Sequence, residues 1–445
     1  MPNSLTAREA ARQIRAGLLS SRKLVESCLQ RISETEPVLQ AWAHVDHDGA
    51  LAAADACDLM RRRGMPLGPL HGVPVGIKDI VDVKDMPCER NSPLFAGRVA
   101  SEDAFIVSRL REAGAVILGK TVTTELAFMN PSQTRNPHDP SRTPGGSSSG
   151  SAAAVAAFHV PLAIGTQTNG SMIRPASFCG VYGLKPTRGV LSRSGILDTS
   201  VSLDQPGVFA RELGDCALLA DAMAGYDPQD RLSYPRARPR MLDGASQEMP
   251  VKPAFAVFDL PYDDRLAGYS VEGMAELEAF LGQQVDRLPA PPAFANLVRV
   301  QRVIHLYEYN QSLGELCRSQ WDKVSDVLKP LVEEASAISL AQYEDAQSIR
   351  QEAETFFASF FADYDAVLTH SAAGEAPSFE SGTGDPVFCS IWTLAGLPCV
   401  SLPLLSGERG LPVGIQMVGP VERDDRMLRA ANWLISHLNE DSMPA

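Results

Sequence analysis

Pro144-Gly-Gly-Ser-Ser-Ser-Gly-Ser151 and, a little further on, Thr166-Gln-Thr-Asn-Gly-Ser-Met-Ile-Arg-Pro-Ala176 govern the reading of this chain. Both set serines in glycine-rich backbone, and no Asp, Glu, Lys or Arg occurs between Thr143 and Ile173. A charge-free stretch of this kind is either a linker or a place where backbone N–H groups and hydroxyls act away from water. Between the two motifs, Ala152 to Phe158 reads as a buried helix and Leu162-Ala-Ile-Gly165 as a strand.

Working outward, Val73-Pro-Val-Gly-Ile77 and Ala115-Val-Ile-Leu118 read as short strands, with a helix from Ala104 to Glu112 between them. Alternating strands and helices predict an α/β layered fold. Upstream, Thr6-x-x-Glu9 is a capping box that opens a helix ending at Gly17. A second helix covers Leu24 to Ile32 and is stopped by Pro37, and a third runs from Ala50 to Arg63. Arg61-Arg62-Arg63 complements the dipole at that helix end. Tyr226 to Pro250 reads as a long surface loop, Ala256-Val-Phe258 as a strand and Ala293 to Phe361 as mostly helical. Strand-like segments return at Ala366-Val-Leu368, Val400-Ser-Leu402 and Val413 to Met417. The expected organisation is a helical arm (1–65), a core (66–225), a loop and helical subregion inserted late (226–365), and C-terminal strands completing the core (366–445).

The 445 residues carry a formal charge of −14, with 44% hydrophobic and 21% charged residues. This balance speaks against a nucleic-acid partner, since no basic patch stands out. Ser151 to Ile164, the most apolar stretch, is too short to span a bilayer. The eight cysteines are scattered, with no CxxC pair, and the histidines show no HxH or HxxxH spacing. Scattered thiols suggest a reducing compartment, so a cytoplasmic protein with no metal and no cofactor is expected, and a homodimer is left open.

Gly114-Ala-Val-Ile-Leu-Gly-Lys-Thr121 satisfies the phosphate-loop pattern GxxxxGK[ST], but its middle residues build a strand rather than a turn around an anion. A nucleotide binder is the alternative of another class, and tight Mg-ATP binding lost in Lys120→Ala would favour it. Gly146-Ser-Ser-Ser-Gly150 matches GxSxG, yet a proline-rich loop rather than a strand feeds it. Lys78 follows an apolar run and precedes Asp79. It is either a surface charge paired with Asp79 or a lysine turned into an apolar site, where desolvation favours the neutral base. Ser171 sits in Thr168-Asn-Gly-Ser, where backbone N–H groups can form an oxyanion hole, or the segment is a plain polar turn. No carboxylate–histidine pair lies near it in sequence, so a serine–lysine arrangement is the economical alternative.

These motifs together resemble the amidase signature family of Ser-cisSer-Lys amide hydrolases. The resemblance runs through Gly72-Val-Pro-Val-Gly-Ile-Lys-Asp79, Gly119-Lys-Thr121, Pro144-Gly-Gly-Ser-Ser148, Gly170-Ser171, Arg174-Pro-Ala176, Phe178-Cys-Gly-Val-Tyr-Gly-Leu-Lys-Pro-Thr187 and Ser202-Leu-Asp-Gln-Pro-Gly207. It recurs more weakly at Leu394 to Pro398 and Gly410 to Gln416. It implies a central mixed, twisted sheet covered by helices on both faces. It implies Lys78 as general base, Ser147 as bridging serine after a cis peptide, and Ser171 as acylated nucleophile. Backbone N–H groups of Thr168, Asn169, Gly170 and Ser171 would form the oxyanion hole. Asn169 and Ser149 stand where the family usually has glycine.

The implied reaction hydrolyses an amide to a carboxylate and ammonia or an amine through a seryl acyl-enzyme. Arg174, three residues after the nucleophile, resembles the malonamidase-type branch, where an arginine can meet a substrate carboxylate. The other reading is a structural arginine bonded to backbone. The expected substrate is a small-molecule amide, and the related alternative is the glutamine amidase subunit of a tRNA-dependent amidotransferase.

Overall fold

The computed structural model describes residues 1–441. Eleven strands form one sheet: β1 Trp42–Val45, β2 Pro74–Lys78, β3 Val116–Thr121, β4 Leu162–Gln167, β5 Tyr182–Lys185, β6 Gln205–Ala210, β7 Phe255–Asp259, β8 Val285–Pro289, β9 Ala366–His370, β10 Cys399–Ser406 and β11 Pro412–Val418. Their order is β1-β3-β2-β4-β6-β5-β10-β11-β9-β7-β8. β2 runs parallel to β3 and β4, and β7 parallel to β8 and β9, while the remaining pairs are antiparallel. The sheet is therefore mixed, and helices flank it.

Every residue of β2, β3, β4 and β6 is buried. A strand covered on both faces needs a continuous apolar run rather than an alternating one, which explains Val-Pro-Val-Gly-Ile and Val-Ile-Leu. The charge-free helix Ser149–Ala156 is buried along its length except at its last residue, packed against β2, β3 and β4.

Several boundaries move. The second helix extends over Ser21–Leu39 and carries Pro37 in its last turn, where the helix ends two residues later. The opening capping box is half formed: Thr6 accepts from the Glu9 backbone, but the Glu9 carboxylate is taken by Arg12 and Gln13. The loop after Tyr226 contains a short helix, Met241–Ser246, which packs on the helices Leu213–Met223 and Asp424–Asp441.

Lys120 stands in β3, buried, with its ammonium 2.9 Å from Asp79. Its backbone is committed to the sheet, so Gly114 to Thr121 is a turn and a strand, not a phosphate loop. Asp79 thus pairs with Lys120 rather than with Lys78. All eight cysteines are buried and unpaired. Among the described residues no helix is long and apolar enough to cross a membrane, and no cluster of His, Cys, Asp and Glu is placed to hold a metal ion.

Candidate active site

Lys78 is the last residue of β2 and has no solvent exposure. Its Nζ donates to Ser147 Oγ at 2.7 Å and to Thr166 Oγ1, on the adjacent strand β4, at 2.9 Å. Neither partner is a carboxylate. Burial without a direct counter-ion disfavours the ammonium, and the lysine is pushed down from 10.5 to about 7, with the Asp204 carboxylate opposing the shift.

Ser147 is 1% exposed and follows a cis peptide at Gly146–Ser147. The loop around it has no spare room. Gly145 adopts φ +84°, and a Cβ at Gly146 would stand 2.8 Å from methyl carbons of Thr124 and Thr383. The two following serines are used locally. Ser148 Oγ donates to the Thr166 carbonyl at 3.2 Å, and Ser149 Oγ to the Gly145 carbonyl at 2.9 Å.

Ser171 lies between the end of β4 and the helix Ile173–Cys179. It faces a cavity of about 480 Å³ together with Thr168, Asn169, Gly170 and Arg174. Its hydroxyl makes no hydrogen bond among the described residues, nor do the backbone N–H groups of Asn169, Gly170 and Ser171 find a protein acceptor there. Gly170 is closely packed: a Cβ there would stand 3.0 Å from the Pro386 Cβ and 3.2 Å from the Cys389 Cβ. The turn is anchored by Gln167, whose Oε1 accepts from the Met172 and Ile173 N–H groups at 2.8 and 3.1 Å. Thr168 Oγ1 donates to Asp204 at 2.5 Å, and Asp204 also accepts from Thr199 N and Oγ1 and from Ser200 N.

Arg174 is 2% exposed and divides its guanidinium between two environments. Nη2 donates to the Gly146 carbonyl at 2.7 Å and to Thr383 Oγ1 at 3.3 Å. Nε and Nη1 are buried with no partner, and no carboxylate hydrogen-bonds to the side chain. Burial draws its pKa down to about 10. Arg265, Arg299 and Arg302 line the same cavity, and Asp385 is the one carboxylate residue on its wall among the described residues. Arg265 neutralises Asp385 at 2.8 Å.

Three of the groups around this site, Gln301, Ser390 and Thr393, stand outside every functional motif of the sequence, and Thr166, the first residue of a quoted motif, carried no role of its own. Asp204 lay in a recognised motif but had no role assigned. Gln301 had one available signal: it is a polar residue on the face of a helix shared with Leu297, Val300 and Ile304, all buried.

A buried lysine on a serine that follows a cis peptide and a second serine on a cavity wall are elements expected of the Ser-cisSer-Lys amide hydrolases. The family model described as "Amidase" matches residues 23–428, and the chain belongs to that family. It is a hydrolase of amide C–N bonds. Among curated proteins it is 34% identical to a glutamyl-tRNA(Gln) amidotransferase subunit of Synechococcus elongatus, over 93% of each chain. Among solved structures it superposes with a TM-score of 0.92 and 29% identity, over 99% of each chain, on a protein from a vestigial complex that bears on the origins of an s-triazine catabolic enzyme. It superposes on the peptide amidase of Stenotrophomonas maltophilia with a TM-score of 0.84 and 29% identity, over 98% of this chain and 97% of that one.

Proposed function

We propose that this protein hydrolyses a small amide that carries a carboxylate, with Ser171 as nucleophile, Ser147 as proton relay and Lys78 as base. The observation that carries the substrate class is the half-used guanidinium of Arg174. A buried cation with two free donors and no carboxylate partner is costly unless an anion completes it. Of the other arginines on the cavity wall, Arg265 and Arg302 are neutralised by Asp385 and Glu334, and Arg299, which has no ion pair among the described residues, favours an anion further, although the whole chain is acidic.

In the proposed reaction neutral Lys78 accepts the Ser147 proton as Ser147 Oγ takes the proton of Ser171. Ser171 Oγ then bonds to the amide carbon. The resulting oxyanion is met by N–H groups of the Thr168–Ser171 turn. The proton returns through Ser147 to the leaving nitrogen, the C–N bond breaks, and ammonia or an amine departs. Water repeats the sequence on the acyl ester and releases the acid.

The test is a panel of monoamide acids and their neutral analogues, read by ammonia or amine release. Ser171→Ala is expected to abolish turnover with the fold intact. Arg174→Gln is expected to raise KM for the acidic amides well beyond any change for the neutral ones, a loss common to both reporting the contact with the Gly146 carbonyl. Turnover that survives in Ser171→Ala would overturn the nucleophile, and an unchanged acid preference in Arg174→Gln would remove the carboxylate contact.

A second reading, the glutamine amidase component of a tRNA-dependent amidotransferase, is favoured by the name of the curated relative. Glutamine is itself a small amide with a carboxylate, so the two readings share a site. They part on partners. The amidotransferase reading expects ammonia release from glutamine to depend on charged tRNA and the other amidotransferase components, whereas the first expects full turnover by the chain alone.

A further inference from the structure

The turn that carries Ser171 is held by three side chains that no step above uses, two of which, Gln301 and Ser390, share the cavity wall with it. Gln301 belongs to the helix Phe294–Tyr309 of the late helical region and is 1% exposed. Its Nε2 donates to the Thr168 carbonyl at 3.0 Å, and its Oε1 accepts from Asn169 Nδ2 at 3.1 Å. Thr393, on the helix Val387–Leu394, donates through Oγ1 to the Asn169 carbonyl at 2.6 Å. From the same helix Ser390 Oγ donates to Asn169 Oδ1 at 2.6 Å. The residue that replaces the usual glycine therefore has both ends of its side-chain amide fixed, one to each helix.

A trans peptide is planar, so a carbonyl and the N–H that follows it point in opposite directions. The one cis bond among the described residues is Gly146–Ser147, so the peptides of this turn are trans. When Gln301 holds the Thr168 carbonyl, the Asn169 N–H is turned away from Gln301. When Thr393 draws the Asn169 carbonyl, the Gly170 N–H is turned likewise. Both N–H groups are without a protein acceptor, and both residues line the cavity. We infer that Gln301 and Thr393 are positioning residues for the oxyanion hole: by tying back the carbonyls of Thr168 and Asn169 they aim the N–H groups of Asn169 and Gly170 at the reacting carbonyl. The helical region inserted late in the chain is then part of the catalytic apparatus. Donors aimed before the reaction starts act mainly on the transition state, so their loss lowers kcat more than it raises KM.

The inference rests on Ser171 as the nucleophile, and the experiment separates the two. With the fastest amide of the panel, kcat, KM and the pH profile are measured for Gln301→Ala, Gln301→Leu, Thr393→Val and Thr393→Ser, with Ser171→Ala as control. Gln301→Ala, Gln301→Leu and Thr393→Val are expected to lose about 10- to 100-fold in kcat, on the scale of a weakened oxyanion donor. KM should stay within about twofold, and the rising limb set by Lys78 should not move. Thr393→Ser keeps the hydroxyl and is expected to recover most of the rate.

A folded Gln301→Ala or Gln301→Leu enzyme with kcat within twofold of the parent overturns the inference. If neither Gln301 variant folds, the threonine pair decides, and equal rates for Thr393→Val and Thr393→Ser overturn it. A loss expressed in KM alone also overturns it. Full turnover by Ser171→Ala would instead remove the nucleophile on which the inference stands.

Discussion

Lys78 has two hydroxyls for neighbours and no direct carboxylate partner, and that choice of partners sets its chemistry. An adjacent Asp would hold it as an ammonium, unable to accept a proton. With its pKa near 7, the neutral form gains about tenfold per pH unit below that value and saturates above it. We expect kcat/KM to rise with pH to a plateau above about pH 8, and Lys78→Met to abolish the activity. The same shift acts on stability. Between about 7 and 10.5 the unfolded lysine is protonated and the folded one is not, so unfolding takes up a proton and stability rises with pH across that window. Lys78→Met removes this contribution. Its thermal midpoint should therefore climb less from pH 7 to pH 10 than that of the parent; parallel curves would mean that the lysine is not neutral when folded.

Among the secondary elements, those legible in the sequence were those whose burial left a mark in composition. β2, β3 and β4 are covered on both faces and read as unbroken apolar runs. β1, β5, β6 and β8 do not read as strands in the sequence: β5 and β6 are largely buried, but Gly183, Lys185, Gln205, Pro206 and Gly207 break their apolar runs. β1 is short, and β8, an edge strand with largely exposed residues including Asp286 and Arg287, shows little apolar patterning. The serines and the lysine were legible because their motifs are local. Gln301, Ser390 and Thr393 were not, because their partners lie in the turn around Ser171, far away in sequence, and only the fold joins them.

β3 also shows how a motif can mislead. Lys120 satisfied a phosphate-loop pattern, yet its ammonium is sealed against Asp79 inside the sheet. Lys120→Met strands that carboxylate and is expected to cost about 3–5 kcal/mol, read as a lower urea midpoint. Mg-ATP should bind neither parent nor variant. A variant as stable as the parent would show that the pair contributes nothing.

Over the whole molecule, one continuous sheet brings together β2 and β4, which carry Lys78 and Thr166, and the helices that brace the turn come from the second half of the chain. The site therefore exists only when both halves are folded together. The cysteines give a means of observing this. All eight are buried, and burial raises every thiol above its ordinary value, Cys28 and Cys389 to about 12 and Cys399 to about 11. Thiolate is the reactive form, so the native molecule should be silent to iodoacetamide and to disulfide reagents at neutral pH. Catalysis should likewise be unaffected by them. Each thiol becomes visible when its own segment opens, and Cys28, Cys179, Cys317 and Cys399 lie in the N-terminal helices, the core, the late helical region and the C-terminal strands respectively. Mass-resolved labelling over time would then act as a clock with hands in every region. Molecules carrying either no label or all eight would report a single cooperative opening, and stable intermediate counts would show which region lets go first.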